Sequence, residues 1–219
     1  MEPTYTPDAM ALLDALPTYD KERFAAEKAD YQRLIAEPTK AIVDALGPRL
    51  AESISPGLTW EAKTNGSIAP VNNDLRFNPD ASPYRDTILL RFWEGDDKRH
   101  APTLFVRITP TDLGFASGCA PASVDRWRAV VDSDEGAAIA RAIETLVTAT
   151  GAEVVGEGYK RVPKPHPVDH PRADLLRHKW LQVRWPTDDP PTIADLADRC
   201  ADELQRAGDL HRRLVAAFG

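Results

Sequence analysis

An α+β fold, with an antiparallel central sheet packed between N-terminal and C-terminal helices in a single domain, is predicted by the order in which three patterns appear. Residues 20–50 place apolar side chains at helical spacing, residues 87–119 form strand-like runs with no helix between them, and residues 123–150 and 192–218 return to helical spacing. Strands joined only by turns pair antiparallel, and helices gathered at the two ends oppose an alternating βαβ order. The chain has 219 residues and shows no repeat, low-complexity tract or dividing linker, which fits one large domain.

Each element has a local reason. Residues 1–19 carry no clear pattern and are expected to be a flexible segment. Asp20 is a suitable N-cap for a helix presenting Phe24, Tyr31, Leu34 and Ile35. Pro38 is expected to stop that helix or to begin the next at its first turn. Ile42, Val43, Leu46 and Leu50 then mark a second helix that Gly47 and Pro48 would bend or split. Residues 87–94 (TILLRFWE) and 102–108 (PTLFVRI) are rich in β-branched and aromatic side chains and are joined by the polar loop 95–101, a hairpin signature. A third strand is expected at 113–119, with helices at 123–131 and 135–150 and short strands at 153–155 and 179–185. Thr192 is the expected cap of a helix carrying Ile193, Leu196, Cys200 and Leu204, which Gly208 separates from a last piece with Leu210, Leu214 and Phe218.

Composition narrows the function classes. Hydrophobic residues make up 42% and charged residues 28%, which supports a sizeable core and opposes global disorder. A net charge of −7 argues against nucleic acid or an anionic membrane as a partner of the whole surface and leaves room only for a local basic site. No run approaches the ~20 apolar residues that a membrane helix needs, and the first twenty residues lack a basic stretch followed by an apolar one. Cys119 and Cys200 have no metal-ligand spacing and read as buried thiols. The expected setting is cytoplasmic. No dinucleotide fingerprint, phosphate loop, zincin motif or nucleophile elbow is present, so no cofactor is expected. Oligomeric state is not legible.

Two segments are polar beyond what secondary structure requires. Residues 72–85 (NNDLRFNPDASPYR) hold Asp74, Arg76 and Asp80 among turn formers, including Asn78 and Pro79. If Asp74 and Arg76 lie on extended backbone they share a face, suited to a clamp that ties the loop down or to holding a substrate carboxylate or phosphate. Residues 160–185 carry seven Lys or Arg against two Asp, together with His166, His170 and His178. A basic, histidine-bearing island in an acidic chain points to an anion site, or to a solvated loop that balances the acidic helices. His166 and His170 stand four apart, but Pro167 and Pro171 oppose a helix there, so no metal site is assigned. His170 has the ordinary titration range for proton transfer, with Asp74 or Asp80 as a possible orienting partner rather than the adjoining Asp169.

These blocks carry a resemblance. Asn72, Asp74, Arg76, Phe77, Asp80, Pro83 and Tyr84, with Arg85 in place of lysine, are similar to the central block of a family known only as domain of unknown function 2461. Lys160, Arg161, Pro163, Lys164, Asp169, His170, Pro171, Leu175, Leu176 and Lys179 resemble its last block, and Phe24 to Tyr31 its aromatic and basic first helix. The similarity spans about residues 20–215 and implies a compact α+β fold without an assigned activity. The chain departs at Asn73, Ala81 and Pro165, where the family pattern has arginine, lysine and glycine, which removes two basic positions from the first block.

The combined expectation is a site for a small phosphate- or carboxylate-bearing ligand where the two blocks meet. Asn72, Arg76, Asp80, Tyr84, Arg85, Lys160, Arg161, Lys164, Asp169 and Lys179 would bind it, with Asp74 orienting an arginine and His170 as the proton-transfer group. The alternatives are a nucleic-acid-associated module and a protein-interaction scaffold without catalysis; whether the chain is an enzyme stays open.

Overall fold

The computed structural model describes residues 3–76 and 80–219. Six strands, β1 (Leu58–Thr59), β2 (Ile88–Glu94), β3 (Thr103–Ile108), β4 (Leu113–Cys119), β5 (Glu153–Val155) and β6 (Leu181–Thr187), form one antiparallel sheet in the order β1-β2-β3-β4-β6-β5. The helices are α1 (Pro7–Ala15), α2 (Lys21–Ala26), α3 (Lys28–Tyr31), α4 (Glu37–Ser53), α5 (Val124–Asp132), α6 (Asp134–Thr150), α7 (Ala173–Arg177), α8 (Leu196–Gln205) and α9 (Gly208–Phe218). The two-residue β1 had no strand-like run to announce it.

The sheet is two-faced because its strands alternate. Leu90, Val106, Phe115 and Trp185 stand opposite one another across β2, β3, β4 and β6, and all four are buried. This row belongs to one contiguous core that reaches from Tyr5 to Phe218 and takes in α4, α6, α8 and α9. Removing each of those large side chains from water contributes roughly 2–3 kcal/mol. The next row over, Arg91, Phe105, Ala116 and Arg184, points the opposite way.

Residues 7–18 form α1 and a short 3-10 turn: Thr6 caps α1 by accepting from the Ala9 amide at 3.2 Å, and Leu13 and Leu16 are fully buried. The Tyr5 hydroxyl meets Thr39 Oγ1 at 2.7 Å, tying this segment to α4. Pro38 stands in the first turn of α4, the second of the two expected places. A π turn at Gln32–Ala36 precedes it, closed by a bond from the Glu37 amide to the Gln32 carbonyl, and joins α3 to α4 without a break. Pro48 leaves α4 whole, and Gly47 is required beside it, since a Cβ there would lie 2.3 Å from the Trp60 ring. Thr192 is not a cap: the Ile193 amide closes a turn onto Pro190, and α8 begins only at Leu196.

The sheet and the last helices are joined by buried charge. Glu203, 3% exposed, accepts from Trp185 Nε1 at 3.0 Å and pairs with Arg199 Nη1 at 2.9 Å and Arg206 Nε at 3.2 Å. At the far end of β2, His211 Nε2 meets Glu94 Oε1 at 3.0 Å, both side chains buried. Removing the hub leaves the indole N–H without an acceptor. Glu203→Ala is expected to cost about 2–4 kcal/mol in urea unfolding followed by tryptophan fluorescence, with Glu203→Gln in between.

Candidate functional site

The two polar blocks anchor on opposite edges of the sheet. Residues 72–85 continue from the β1 side of β2, where Ile68 bridges Leu90, and close on themselves through an Asn72–Tyr84 bridge. Tyr84 is buried and stacks on Phe24 at 4.2 Å, and Phe24 meets Tyr31 at 5.3 Å, so the first family block lies against the N-terminal helices. Residues 160–179 belong to the other edge, where Gly158 bridges His178 next to β5 and β6. Three inter-strand spacings of about 4.8 Å, roughly 14 Å, separate β2 from β6 alone. The two blocks are therefore anchored on strands three places apart in the sheet.

Within each block most polar groups serve the block itself. Arg76 lies across the Asp74 carboxylate, with Nε 2.9 Å from Oδ1 and Nη2 2.6 Å from Oδ2, and this pairing holds the Asp74 carboxyl below its usual range. Arg85 Nη2 donates to the Asn72 carbonyl at 2.9 Å, and Ser82 Oγ to the Pro17 carbonyl at 2.6 Å. Asp80 is exposed, and Phe77, Asn78 and Pro79 lie outside the described residues. This is the loop clamp of the two readings.

His170 ties its loop to the end of α5. Its Nδ1 accepts from the Arg172 amide at 3.0 Å and its Nε2 faces Asp132 Oδ1 at 3.0 Å, so both ring nitrogens are occupied. The orienting carboxylate is Asp132, not Asp74 or Asp80. Asp132 also lies 3.8 Å from His166 Nδ1, and Arg172 donates to the Val131 and Asp132 carbonyls at the end of α5. Lys179 pairs with Glu157. Lys160, Arg161 and Lys164 are exposed and have no ion-pair partner among the described residues, while Asp169 is exposed. Among the described residues no group of three His, Cys, Asp or Glu is arranged to hold a metal.

The cavity with the most distinctive chemistry opens instead on the bare face of the sheet, with a volume of about 630 Å³. Its depth comes from β4, whose outward residues are Gly114, Ala116 and Gly118. Gly118 stands between Thr103 and Gln182, so close to β6 that a Cβ would fall 2.2 Å from the Leu181 carbonyl oxygen. The Arg107 side chain covers Gly114 and closes the trough at that end. Around the open end stand Arg91, Lys98, Arg99, Phe105, Trp180 and Gln182, and no Asp or Glu lines it.

Arg91 is positioned by the neighbouring segment at residues 66–67. Its amide donates to the Ser67 carbonyl and its Nε to the Gly66 carbonyl, both at 2.9 Å, which leaves the two terminal nitrogens for the cavity. The loop 95–101 supplies Lys98, which donates to the Asn65 carbonyl, and Arg99. The two acids in that loop, Asp96 and Asp97, line a separate cavity beside Ser123, and Asp97 accepts from His100 Nδ1 at 2.9 Å and from the Arg99 amide at 3.1 Å, which lowers its carboxyl. Cys119 also lines the wall, but burial pushes its thiol up to about 12, far from a nucleophile's range.

Sequence reading missed this site because its residues are scattered over β2, β3, β6 and one loop. The available signal was the outward-facing Arg91 and Phe105 on strands that otherwise alternate. Of the expected blocks only the stretch that leads from Lys179 into Trp180 reaches it.

A family model described as conserved hypothetical protein (DUF2461) matches residues 9–212. No curated protein matches the chain.

His170→Ala removes a donor and an acceptor and is expected to cost about 1–2 kcal/mol of stability, with faster amide exchange confined to residues 160–178. Cys200 is also buried, its thiol pushed up to about 12. At pH 8 only about one thiol in ten thousand is then ionised. Neither cysteine should react with a disulfide reagent in the folded protein, and both should react in denaturant; absorbance of the released thiol reads this directly.

Proposed function

We propose that this chain, which belongs to the DUF2461 family of conserved hypothetical proteins, is a binding module for a small anion with a flat body, seated on the open face of the sheet. The observation that carries the reading is the cavity lined by Arg91, Lys98 and Arg99, two aromatic rings and no carboxylate, in a chain of net charge −7. Cations gathered on a concave surface raise the local potential even where the whole molecule is acidic. The terminal nitrogens of Arg91 and the side chain of Arg99 would hold a phosphate or carboxylate, while Phe105 and Trp180 offer apolar and π surface to the rest of the ligand. Gln182 adds a donor and an acceptor for its edge.

Binding rather than turnover is supported by the same lining. It contains no histidine and no carboxylate, and its one thiol is far from ionised. A compact ligand fits better than a nucleic-acid strand, because the cations that would extend the track are neutralised. Arg107 Nη2 pairs with Asp112 at 2.6 Å and Arg184 Nη2 with Glu153 at 3.1 Å.

The test is a thermal-shift and calorimetric screen of phosphorylated and carboxylated small molecules against wild type, Arg91→Ala and Arg99→Ala. A ligand that raises wild-type melting is expected to lose about ten- to a hundredfold in affinity in either variant, with a shallow dependence on salt. Arg161→Ala, at the far edge, should leave it unchanged. Loss in Arg161→Ala with no loss in the other two would sink the reading, and a salt slope of many phosphates would replace it with a strand-binding one.

A further inference from the structure

A second cavity lies under the π turn, with a volume of about 130 Å³ and a different chemistry. Its inner wall is apolar: Leu13, Ile35 and Ile88 line it and are 0%, 1% and 7% exposed. Ala36 on the π turn and Ala69 beside β2 also face it, and their small side chains leave the space unfilled. Tyr31 and Thr64 stand among its more exposed lining.

The cavity is electrically neutral. No Asp or Glu lines it, and the one cation that does, Lys40, is paired with Glu37 at 2.8 Å. Gln32, Thr39, Thr64 and Thr87 add neutral polar groups to the lining, so a charged ligand would lose hydration there without an opposite charge to replace it. Burial raises the Tyr31 hydroxyl above its ordinary range, so it stays an O–H group, and it has no hydrogen-bond partner among the described residues. An apolar cavity of about 150 Å³ holds benzene, and this one, at about 130 Å³, is near that size, so one small ring is the most it can take.

We propose that the π-turn cavity is a binding site for a neutral, phenol-sized amphiphile, its ring against Leu13, Ile35 and Ile88 and its hydroxyl bonded to Tyr31. Occupancy would join three parts that meet there: α1, the π turn and the start of β2. The site stands apart from the anion reading, which concerns the opposite face and charged ligands, so either can fail alone.

The experiment is a phenol titration of protein with labelled isoleucine methyl groups. Saturable shifts are expected at Ile35, Ile68 and Ile88. Ala36→Leu, which fills the cavity from the π turn, should weaken binding at least about tenfold without lowering the melting temperature. Ala69→Leu fills it from the opposite wall and serves if the first variant folds poorly. Tyr31→Phe should weaken phenol about tenfold while leaving benzene binding unchanged. Absence of saturable shifts in wild type, shifts confined to residues of the open sheet face, or equal phenol affinity in wild type and a folded filling variant would each overturn the proposal.

Discussion

β4 is buried along its whole length although the helices cover only one face of the sheet. That is possible because its outward positions are Gly114, Ala116 and Gly118, which neighbours on β3 and β6 can cover, while its inward positions carry Leu113 and Phe115. The small residues let β6 come within contact of the β4 backbone and let the Arg107 side chain lie flat. The trough on the open face and the buried row on the other are two results of one alternation. Larger side chains along β4 would fill the trough and push β6 away together.

The elements were legible wherever period and punctuation agreed. The run 113–119 is a strand in both readings, and the helices expected at 123–131 and 135–150 form as α5 and α6. What misled was local chemistry overruled by packing. Pro38 marks the first turn of α4 as expected, yet the widened turn before it, with Ile35 and Thr39 buried on either side, joins α3 to α4 without a break. The N-terminal segment looks featureless because its apolar residues follow no clear period, yet Tyr5, Met10, Leu13 and Leu16 all enter the core.

The site was harder to read, for a physical reason. Charged blocks that stand out in a sequence are often neutralised by their own neighbours, as Asp74 neutralises Arg76 and Glu157 pairs with Lys179. The cations that line the open-face cavity are single residues in unremarkable contexts, and topology alone gathers them. The first family block meets the first helix through Tyr84 and Phe24, so two of the three features behind the family resemblance do come together. They do so as a structural joint between hairpin and helix.

The π turn holds one more residue than an α turn, and each residue of an α-helix advances it by about 100°. The extra residue thus sets the rotational phase between α3 and α4. With it, Ile42, Val43, Leu46 and Leu50 all face the core. A chain shortened by one residue between positions 32 and 36 would keep its composition, charge and helical propensity almost intact. It would turn the whole apolar stripe of α4 by over a quarter turn, toward water. Length at this one place is therefore constrained more tightly than residue identity, and relatives that vary freely in side chain here should not vary in spacing.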